Sequence, residues 1–154
     1  MIKIMFVCHG NICRSPMAEF VMKDMINKNG LSHLIEVESS ATSREEIGND
    51  IHLGTKNKLK QVNIPYDKRK ARQITNEDYK GFDYILCMDN QNLRNISRII
   101  KSDKDNKIKL LLDYSSNPRN IADPWYTGNF DITYNDICEG CEALLRHIKV
   151  NMTH

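Results

Sequence analysis

The feature that most constrains the fold is an alternation of short apolar runs with amphipathic segments. The first run, IKIMFVC at residues 2–8, is almost continuously apolar, which is typical of a strand buried on both faces of a parallel sheet. Three further runs, LIEVESSA, FDYILCMD and KIKLLLDY, begin at residues 34, 82 and 107. Because segments with helical spacing follow these runs, we predict four strands of one parallel sheet.

Four segments have the apolar spacing of helices. They are SPMAEFVMKDMINKNG, GTKNKLKQV, NQNLRNISRII and DITYNDICEGCEALLRHIK, which begin at residues 15, 54, 90 and 131. Ser15 is a suitable N-cap for the first helix, and a long loop, residues 115–128, precedes the last one. The alternation predicts an α/β fold, a single-domain three-layer sandwich over residues 1–154 with a four-stranded parallel sheet and helices on both faces.

Composition excludes several classes of protein. The chain of 154 residues has a formal net charge of +2, so we expect no nucleic-acid partner, and no apolar run approaches membrane-spanning length. The basic stretch at residues 56–72 is typical of a solvated helix and loop. Five widely spread cysteines do not form a disulfide framework, and MIKIMFVC is too short for a secretory signal. We therefore expect a cytoplasmic protein with reduced thiols.

The loop after the first strand is the strongest functional signal. Cys8 ends the predicted strand, and Arg14 follows after five residues, directly before the helix. In parallel α/β sheets ligands bind beyond the carboxyl ends of the strands, where backbone N–H groups and a helix N-terminus can bind an anion. Gly10 and Asn11 tolerate the left-handed conformation that such a loop needs. We therefore predict a site for phosphate or a similar oxyanion.

The pairing of Cys8 with Arg14 predicts a reaction at that site. A helix N-terminus and a nearby guanidinium both favour the thiolate form of a cysteine. The planar guanidinium of Arg14 also matches two phosphoryl oxygens. Such a geometry suits nucleophilic displacement at phosphorus, with Cys8 attacking the group that Arg14 binds.

The sequence around this loop, VCHGNICRSPMAE, resembles the signature of the low-molecular-weight protein tyrosine phosphatases. Further matches are SSATS, IGN, ARQIT, FDYILCMD and DPWYT, so the resemblance extends over nearly the whole chain. It implies hydrolysis of phosphotyrosine esters through a phosphocysteine intermediate, with no metal and no cofactor. The substrates it implies are phosphotyrosine-containing proteins or small aryl phosphates, with inorganic phosphate and similar oxyanions as inhibitors of a monomeric enzyme.

The resemblance also assigns roles to individual residues. Cys8 is the expected nucleophile, Arg14 binds the phosphoryl group, Ser15 assists the departure of the sulfur, and Asp123 is the general acid and base. The whole phosphate loop consists of Cys8, His9, Gly10, Asn11, Ile12, Cys13, Arg14 and Ser15. Asn11 is expected to hold the loop in shape, bonded to Ser39. Cys13 is expected to be a redox partner that forms a reversible disulfide with the nucleophile.

The chain departs from the family pattern at the pocket wall. Aligning ATSREEIGN places Glu45 where family members commonly carry Trp or Tyr. A carboxylate there removes a stacking surface and favours basic flanking residues in the substrate. Trp125 and Tyr126 are the other expected walls, and His9 occupies a position often filled by Leu or Thr.

Three alternative functions remain open at this point. A protein-arginine phosphatase is compatible with the missing aromatic wall, although relatives with that activity carry Thr in the position of Ile12. An arsenate reductase needs a cysteine relay, for which Cys87 is the candidate. A non-catalytic phosphate-binding module would need the loop alone, whereas this chain also has Asp123.

Overall fold

A four-stranded parallel sheet lies at the centre of the chain in a computed structural model that describes residues 1–152. The strands are β1 (Ile2–Cys8), β2 (Ile35–Ala41), β3 (Tyr84–Cys87) and β4 (Ile108–Leu110). Their order is β2-β1-β3-β4, and every neighbouring pair is parallel. The predicted four-stranded parallel sheet is therefore confirmed.

The central strand β1 brings the predicted phosphate loop to one edge of the sheet. Cys8 pairs with Ala41 of β2, and Val7 pairs with Cys87 of β3. Because all strands run the same way, the chain segments that leave β1, β2 and β3 gather at this carboxyl edge. The loop after Cys8 therefore has neighbours from three separate parts of the sequence.

Helices cover both faces of the sheet. They are α1 (Arg14–Lys28), α2 (Leu53–Gln61), α3 (Asn76–Gly81), α4 (Asn90–Ile96), α5 (Pro124–Thr127) and α6 (Phe130–Met152). Ile4 and Phe6 pack in a core with α1, α2 and α6, whereas Met5 and Val7 pack in a second core with α3 and α4. Side chains alternate between the faces of a strand, so these two cores confirm the predicted three-layer sandwich.

Two local predictions were wrong. Ser15 does not cap α1, which begins at Arg14 with Cys13 at its N-cap, because the Ser15 hydroxyl lies against Cys8 and Asn11 instead. The fourth predicted strand ends at Leu110, and residues 111–114 form a 3-10 turn. The Asp113 carboxylate stabilises the start of this turn by accepting the Leu110 N–H, 3.0 Å away.

The remaining differences between the predicted and the observed elements concern short helices. Helix α3 was not predicted, α4 is shorter than its apolar pattern, and α5 interrupts the predicted long loop. No helix within residues 1–152 has the length and apolar character needed to cross a membrane.

Candidate active site

The sulfur of Cys8 lies within a ring of hydrogen-bond donors. The backbone N–H groups of Asn11 and Ser15 point at Cys8 Sγ from 3.3 and 3.4 Å, and Ser15 Oγ is 3.1 Å away. Asn11 Nδ2 donates to Ser15 Oγ at 2.8 Å, and the single hydroxyl hydrogen of Ser15 has two acceptors within reach, the sulfur of Cys8 and the Ser40 carbonyl at 3.3 Å. Donors from the middle and the end of the loop are therefore directed at the atom that the sequence analysis selected as the nucleophile.

Asn11 holds the loop together from its centre. It is buried in a left-handed conformation, with a φ of 60°, which Asn tolerates better than most residues. Its Nδ2 donates to Ser15 Oγ and, at 2.9 Å, to Ser39 Oγ, while its Oδ1 accepts the backbone N–H of Arg72 at 3.3 Å. The predicted contact between Asn11 and Ser39 is therefore present.

A second layer of polar contacts supports Asn11. Ser39 Oγ donates to Glu19 at 2.5 Å, and the other oxygen of this buried carboxylate accepts from Lys23 at 2.6 Å. The guanidinium of Arg69 donates to the Asn11 carbonyl. Two charged residues that the sequence analysis did not select, Glu19 and Arg69, thus brace the loop from behind.

Gly10 has a different role from the predicted one. Its φ is not positive; among the residues of this loop only Asn11 is left-handed. A Cβ at Gly10 would lie 3.2 Å from the Cγ of Glu46, so the missing side chain makes room for Glu46 beside the loop. The expectation of a left-handed Gly10 was wrong, and close packing accounts for glycine here.

Arg14 is buried and firmly oriented. One guanidinium nitrogen donates to Asp89 Oδ2 at 2.6 Å and to the Ile121 carbonyl at 2.8 Å, and the other lies 3.4 Å from Asp123 Oδ2. Burial lowers the pKa of Arg14, but the charges of Cys8 and Asp123 and the hydrogen bond to Asp89 raise it above its ordinary value overall. The side chain therefore stays cationic beside Cys8.

Asp89 was missed by the sequence analysis, although it lies within the quoted motif FDYILCMD. Its Oδ1 caps α4 by accepting the Asn92 N–H at 2.8 Å, which leaves Oδ2 for Arg14. A carboxylate directly after a predicted parallel strand lies at the ligand-binding edge of the sheet, and this signal could have identified it.

Asp123 lies at the N-cap of α5 and reaches the same site. Its Oδ1 accepts the Trp125 N–H at 3.0 Å, and its Oδ2 faces Arg14. The side chain is 21% exposed, so the carboxyl group is accessible from the pocket. Three residues that are far apart in sequence, Cys8, Arg14 and Asp123, line one pocket.

The rim of this pocket carries acidic and aromatic side chains. Glu45, Glu46, Trp125 and Tyr126 line it, and Trp125 and Tyr126 are 58% and 83% exposed. Glu45 Oε2 lies 2.9 Å from His9 Nε2, so the two unusual residues of the sequence contact each other. Glu46 was not selected from the sequence.

The remaining cysteines have surroundings unlike those of Cys8. Burial, followed by the charges of Cys8 and Asp123, raises the pKa of the Cys13 thiol to about 12. Cys87 is fully buried in β3, and burial raises its pKa strongly. Cys141 is buried in the core, and Cys138 packs against that core, as expected from their helical spacing. Within residues 1–152 no group of three or more His, Cys, Asp or Glu side chains is arranged to hold a metal ion.

Comparison with known proteins gives a consistent result. The family model described as low molecular weight phosphotyrosine protein phosphatase matches residues 3–154. The chain is 41% identical over 151 residues to the low molecular weight protein-tyrosine-phosphatase YfkJ of Bacillus subtilis, covering 97% of both chains. It is 41% identical over 147 residues to the human low molecular weight phosphotyrosine protein phosphatase, covering 92% of both.

Solved structures show the same similarity. The crystal structure of Bacillus subtilis YfkJ has a TM-score of 0.93 at 40% identity and covers 98% of this chain and 96% of its own. The Drosophila arginine phosphatase DARP has a TM-score of 0.87 at 32% identity, with 97% of this chain and 98% of its own covered.

Proposed function

Because the chain belongs to the low molecular weight phosphotyrosine protein phosphatase family, we propose that it hydrolyses phosphotyrosine esters through a phosphocysteine intermediate on Cys8. One observation carries the proposal: Cys8, surrounded by donors to its sulfur, shares a pocket with Arg14 and Asp123. This set supplies a nucleophile, a cation for the phosphoryl oxygens and a proton donor, as phosphoryl transfer requires.

The first step forms the S–P bond and breaks the bond between phosphorus and the tyrosine oxygen. Cys8 Sγ attacks phosphorus while the N–H groups of the phosphate loop and Arg14 bind the equatorial oxygens. Asp89 and the Ile121 carbonyl hold one nitrogen of Arg14, which orients the rest of its fork toward the pocket. Asp123 gives its proton to the departing phenolate oxygen.

The second step reverses the proton transfer. The Asp123 carboxylate takes a proton from a water molecule, whose oxygen attacks phosphorus and releases inorganic phosphate as the S–P bond breaks. The Ser15 hydroxyl, 3.1 Å from Cys8 Sγ, stabilises the thiolate that departs. Inorganic phosphate and similar oxyanions are then expected to inhibit by occupying the loop, residues Cys8 to Ser15.

The pocket walls determine which phosphotyrosine substrates fit. Trp125 and Tyr126 provide aromatic surface for the substrate ring, whereas Glu45 and Glu46 place carboxylates at the rim. We propose that phosphotyrosine-containing proteins with basic flanking residues, or small aryl phosphates, are the substrates.

One alternative is supported by the same rim. Carboxylates accept guanidinium N–H groups well, so Glu45 and Glu46 would also suit phosphoarginine. Ile12 favours phosphotyrosine, because the family resemblance associates phosphoarginine with Thr in that position. Arsenate reduction is disfavoured because the relay candidate Cys87 is fully buried in the sheet. A non-catalytic module is disfavoured because it would not need Cys8 and Asp123 together.

The decisive experiment compares phosphate release from matched phosphotyrosine and phosphoarginine peptides, with and without EDTA, using Cys8→Ser as the control. We expect EDTA-resistant release from phosphotyrosine by the wild type and none by Cys8→Ser. Preference for phosphoarginine would replace the proposed substrate. Equal release by Cys8→Ser and the wild type would refute the phosphocysteine mechanism.

Three broader predictions accompany this function. We propose that residues 1–154 form a single domain, because the family match and the aligned relatives extend over nearly the whole chain. A monomeric state and a cytoplasmic location are proposed from the sequence, and the five free cysteines support a reducing compartment. Sedimentation of the purified protein at several concentrations would test the monomeric state.

A further inference from the structure

We propose that His52 is a positioning residue that holds the turn bearing Asp123 against the phosphate loop. This inference rests on the proposed function, in which Asp123 is the proton donor. His52 belongs neither to the phosphate loop nor to the residues that line the pocket. Its contacts join the phosphate loop, helix α5 and the start of helix α6, which must keep fixed positions for the reaction.

The backbone of His52 is bound to the phosphate loop. Its N–H donates to the carbonyl of Ile12 at 2.9 Å. Ile12 lies between Asn11 and Cys13 on the loop that surrounds Cys8, so His52 has a fixed distance from the nucleophile. This contact fixes the backbone from which the side chain of His52 extends.

The imidazole ring of His52 lies between two aromatic rings from the other end of the chain. It meets Trp125 edge to face, with ring centroids 5.6 Å apart and planes at 74°. It stacks on Phe130, with centroids 5.7 Å apart and planes at 15°. Trp125 lies in α5, and Phe130 begins α6, so one side chain contacts both ends of the segment that follows Asp123.

The ring of His52 is held in one orientation. Its Nδ1 accepts the Gly54 N–H at 3.0 Å and so caps helix α2. A Cβ at Gly54 would lie 2.2 Å from the Phe130 ring, so only glycine lets α2 and α6 approach this closely. The cap and the close helix contact together fix the imidazole where Trp125 packs on it.

Helix α5 needs such a contact because, apart from the buried Pro124, little else holds it. It has four residues, and residues 125–129 are all exposed. The anchors before it precede Asp123: the Ile121 N–H donates to the Met88 carbonyl at 2.8 Å, and Thr133 donates to the Ala122 carbonyl at 3.0 Å. A turn this short has no stability of its own.

The turn that carries Trp125 provides one of two contacts that orient the Asp123 carboxyl group. The Trp125 N–H donates to Asp123 Oδ1 at 3.0 Å, while Asp123 Oδ2 faces Arg14. Loss of the His52 ring would free the Trp125 side chain and loosen the turn whose backbone N–H makes this hydrogen bond. Asp123 would then spend less time in the geometry for proton donation, and misplacement by about 1 Å can cost roughly 100-fold in rate.

The test separates the two roles of His52 with two variants. His52→Asn keeps a good N-cap acceptor for α2 but removes the ring. His52→Phe keeps a ring between Trp125 and Phe130 but removes the acceptor. His147→Asn is the matched control, because His147 also packs on two rings, Tyr84 and Tyr114, at the amino end of the sheet, away from Cys8.

The first readout needs no activity. The chain has one tryptophan, so its fluorescence reports Trp125 alone. We expect His52→Asn to lower the fluorescence anisotropy of Trp125 and to increase its quenching by acrylamide at a temperature well below unfolding. His52→Phe and His147→Asn should resemble the wild type.

The second readout is kcat/KM for aryl phosphates whose leaving phenols differ in acidity. We expect His52→Asn to lower kcat/KM for phosphotyrosine about tenfold, and for an aryl phosphate with an acidic phenol less than about twofold. His52→Phe should restore phosphotyrosine hydrolysis to within about twofold of the wild type while melting at a lower temperature.

Two results would overturn the inference. The first is unchanged Trp125 fluorescence in His52→Asn, and the second is an equal loss of kcat/KM for all leaving groups. No hydrolysis of any aryl phosphate by the wild type would refute the proposed function instead, and the fluorescence of Trp125 would then decide alone whether His52 holds the turn.

Discussion

Cys8 and Cys13 lie on the same loop, five residues apart, yet their surroundings make them different thiols. The sulfur of Cys8 faces two backbone N–H groups and the Ser15 hydroxyl. Cys13 is buried, and its pKa is raised to about 12, so it is protonated at neutral pH. A disulfide between the two would therefore begin with oxidation of Cys8 by a peroxide to a sulfenic acid, after which the Cys13 sulfur forms the S–S bond and the sulfenic oxygen leaves as water. The role of Cys13 as redox partner stays a prediction.

Asp123→Ala tests the acid role of the carboxyl group. We expect kcat/KM for phosphotyrosine to fall about 10²- to 10⁴-fold, because the departing phenolate no longer receives a proton. The kcat/KM for aryl phosphates with acidic phenols should fall much less, since these phenolates depart without receiving a proton. The slope of log kcat/KM against the acidity of the phenol measures this difference.

Asp131→Ala is a matched control, because Asp131 is an exposed carboxylate that pairs with Lys58 at the start of α6. It should leave the slope unchanged. If kcat/KM in Asp123→Ala fell equally for all leaving groups, Asp123 would not be the general acid, and its role would be to orient Arg14.

Glu45→Gln tests the charge of the pocket rim. The Glu45 carboxylate is exposed and contacts the rim residue His9. We expect the ratio of kcat/KM between peptides with basic and acidic flanking residues to fall roughly three- to tenfold, because an exposed charge contributes about 1 kcal/mol. Peptide kinetics at low and high salt would measure the ratio. Glu36→Gln, at the amino end of β2, should not change it.

At the scale of elements, the phosphate loop depends on one backbone conformation and one set of side-chain contacts. Both belong to Asn11, whose φ is 60° and whose amide contacts Ser15 and Ser39. The loop joins β1 to α1 directly, so its shape also sets where Arg14 begins the helix. A change at Asn11 therefore affects the nucleophile and the cation together.

Asn11→Gly and Asn11→Ala separate the two contributions. Both variants lose the amide contacts, but only Ala pays for a left-handed conformation, about 1 kcal/mol. We expect Asn11→Ala to be less stable than Asn11→Gly by that amount, and both to lose activity. Urea unfolding and phosphotyrosine hydrolysis measure the two effects. Equal stability of the two variants would show that the loop relaxes to another conformation.

The elements differ in how far periodicity predicted them. Strands β1 to β3 and helices α1 and α6 were predicted because long apolar patterns determine them locally. The end of β4 was wrong because Asp113 caps the 3-10 turn at residues 111–114 by accepting the Leu110 N–H, a contact that apolar periodicity does not report. Helix α5 has four residues, too few for a pattern, and it forms where Asp123 caps it.

At the scale of the whole molecule, the segment between β2 and β3 braces the phosphate loop through Asp50 and Arg69. The Asp50 carboxylate lies 2.7 Å from Lys56 Nζ and accepts the backbone N–H of Arg69 at 3.1 Å. The guanidinium of Arg69 donates to the loop carbonyl of Asn11. The hydrogen bond from Lys56 is the main cause that lowers the pKa of Asp50 from 3.8 to about 2.

The lowered pKa of Asp50 predicts that the free energy of unfolding depends on pH in the acidic range. The folded state binds the Asp50 proton more weakly than the unfolded chain, so the contribution is full above about pH 4 and is lost as the pH falls toward 2. Asp50→Asn should be less stable than the wild type at neutral pH, by up to about 1 kcal/mol for a surface pair, and this gap should close in acid.

Urea unfolding of both proteins across this pH range would measure the gap. The exposed Asp67 provides a control, and Asp67→Asn should follow the wild type at every pH. A gap that stays constant between pH 4 and pH 2 would mean that the carboxylate of Asp50 is not linked to folding.

The sequence by itself determined the parallel sheet and the phosphate loop with Cys8 and Arg14, because local periodicity and a contiguous motif encode them, whereas Asp123 was identified from the family resemblance of DPWYT. Only the tertiary structure decided what holds these residues in place. The partner of Arg14 is Asp89, 75 residues away, and the Asn11 carbonyl is bound by Arg69, 58 residues away. Such contacts arise when distant segments meet at the carboxyl edge of the sheet, and no short-range pattern records which side chains meet there.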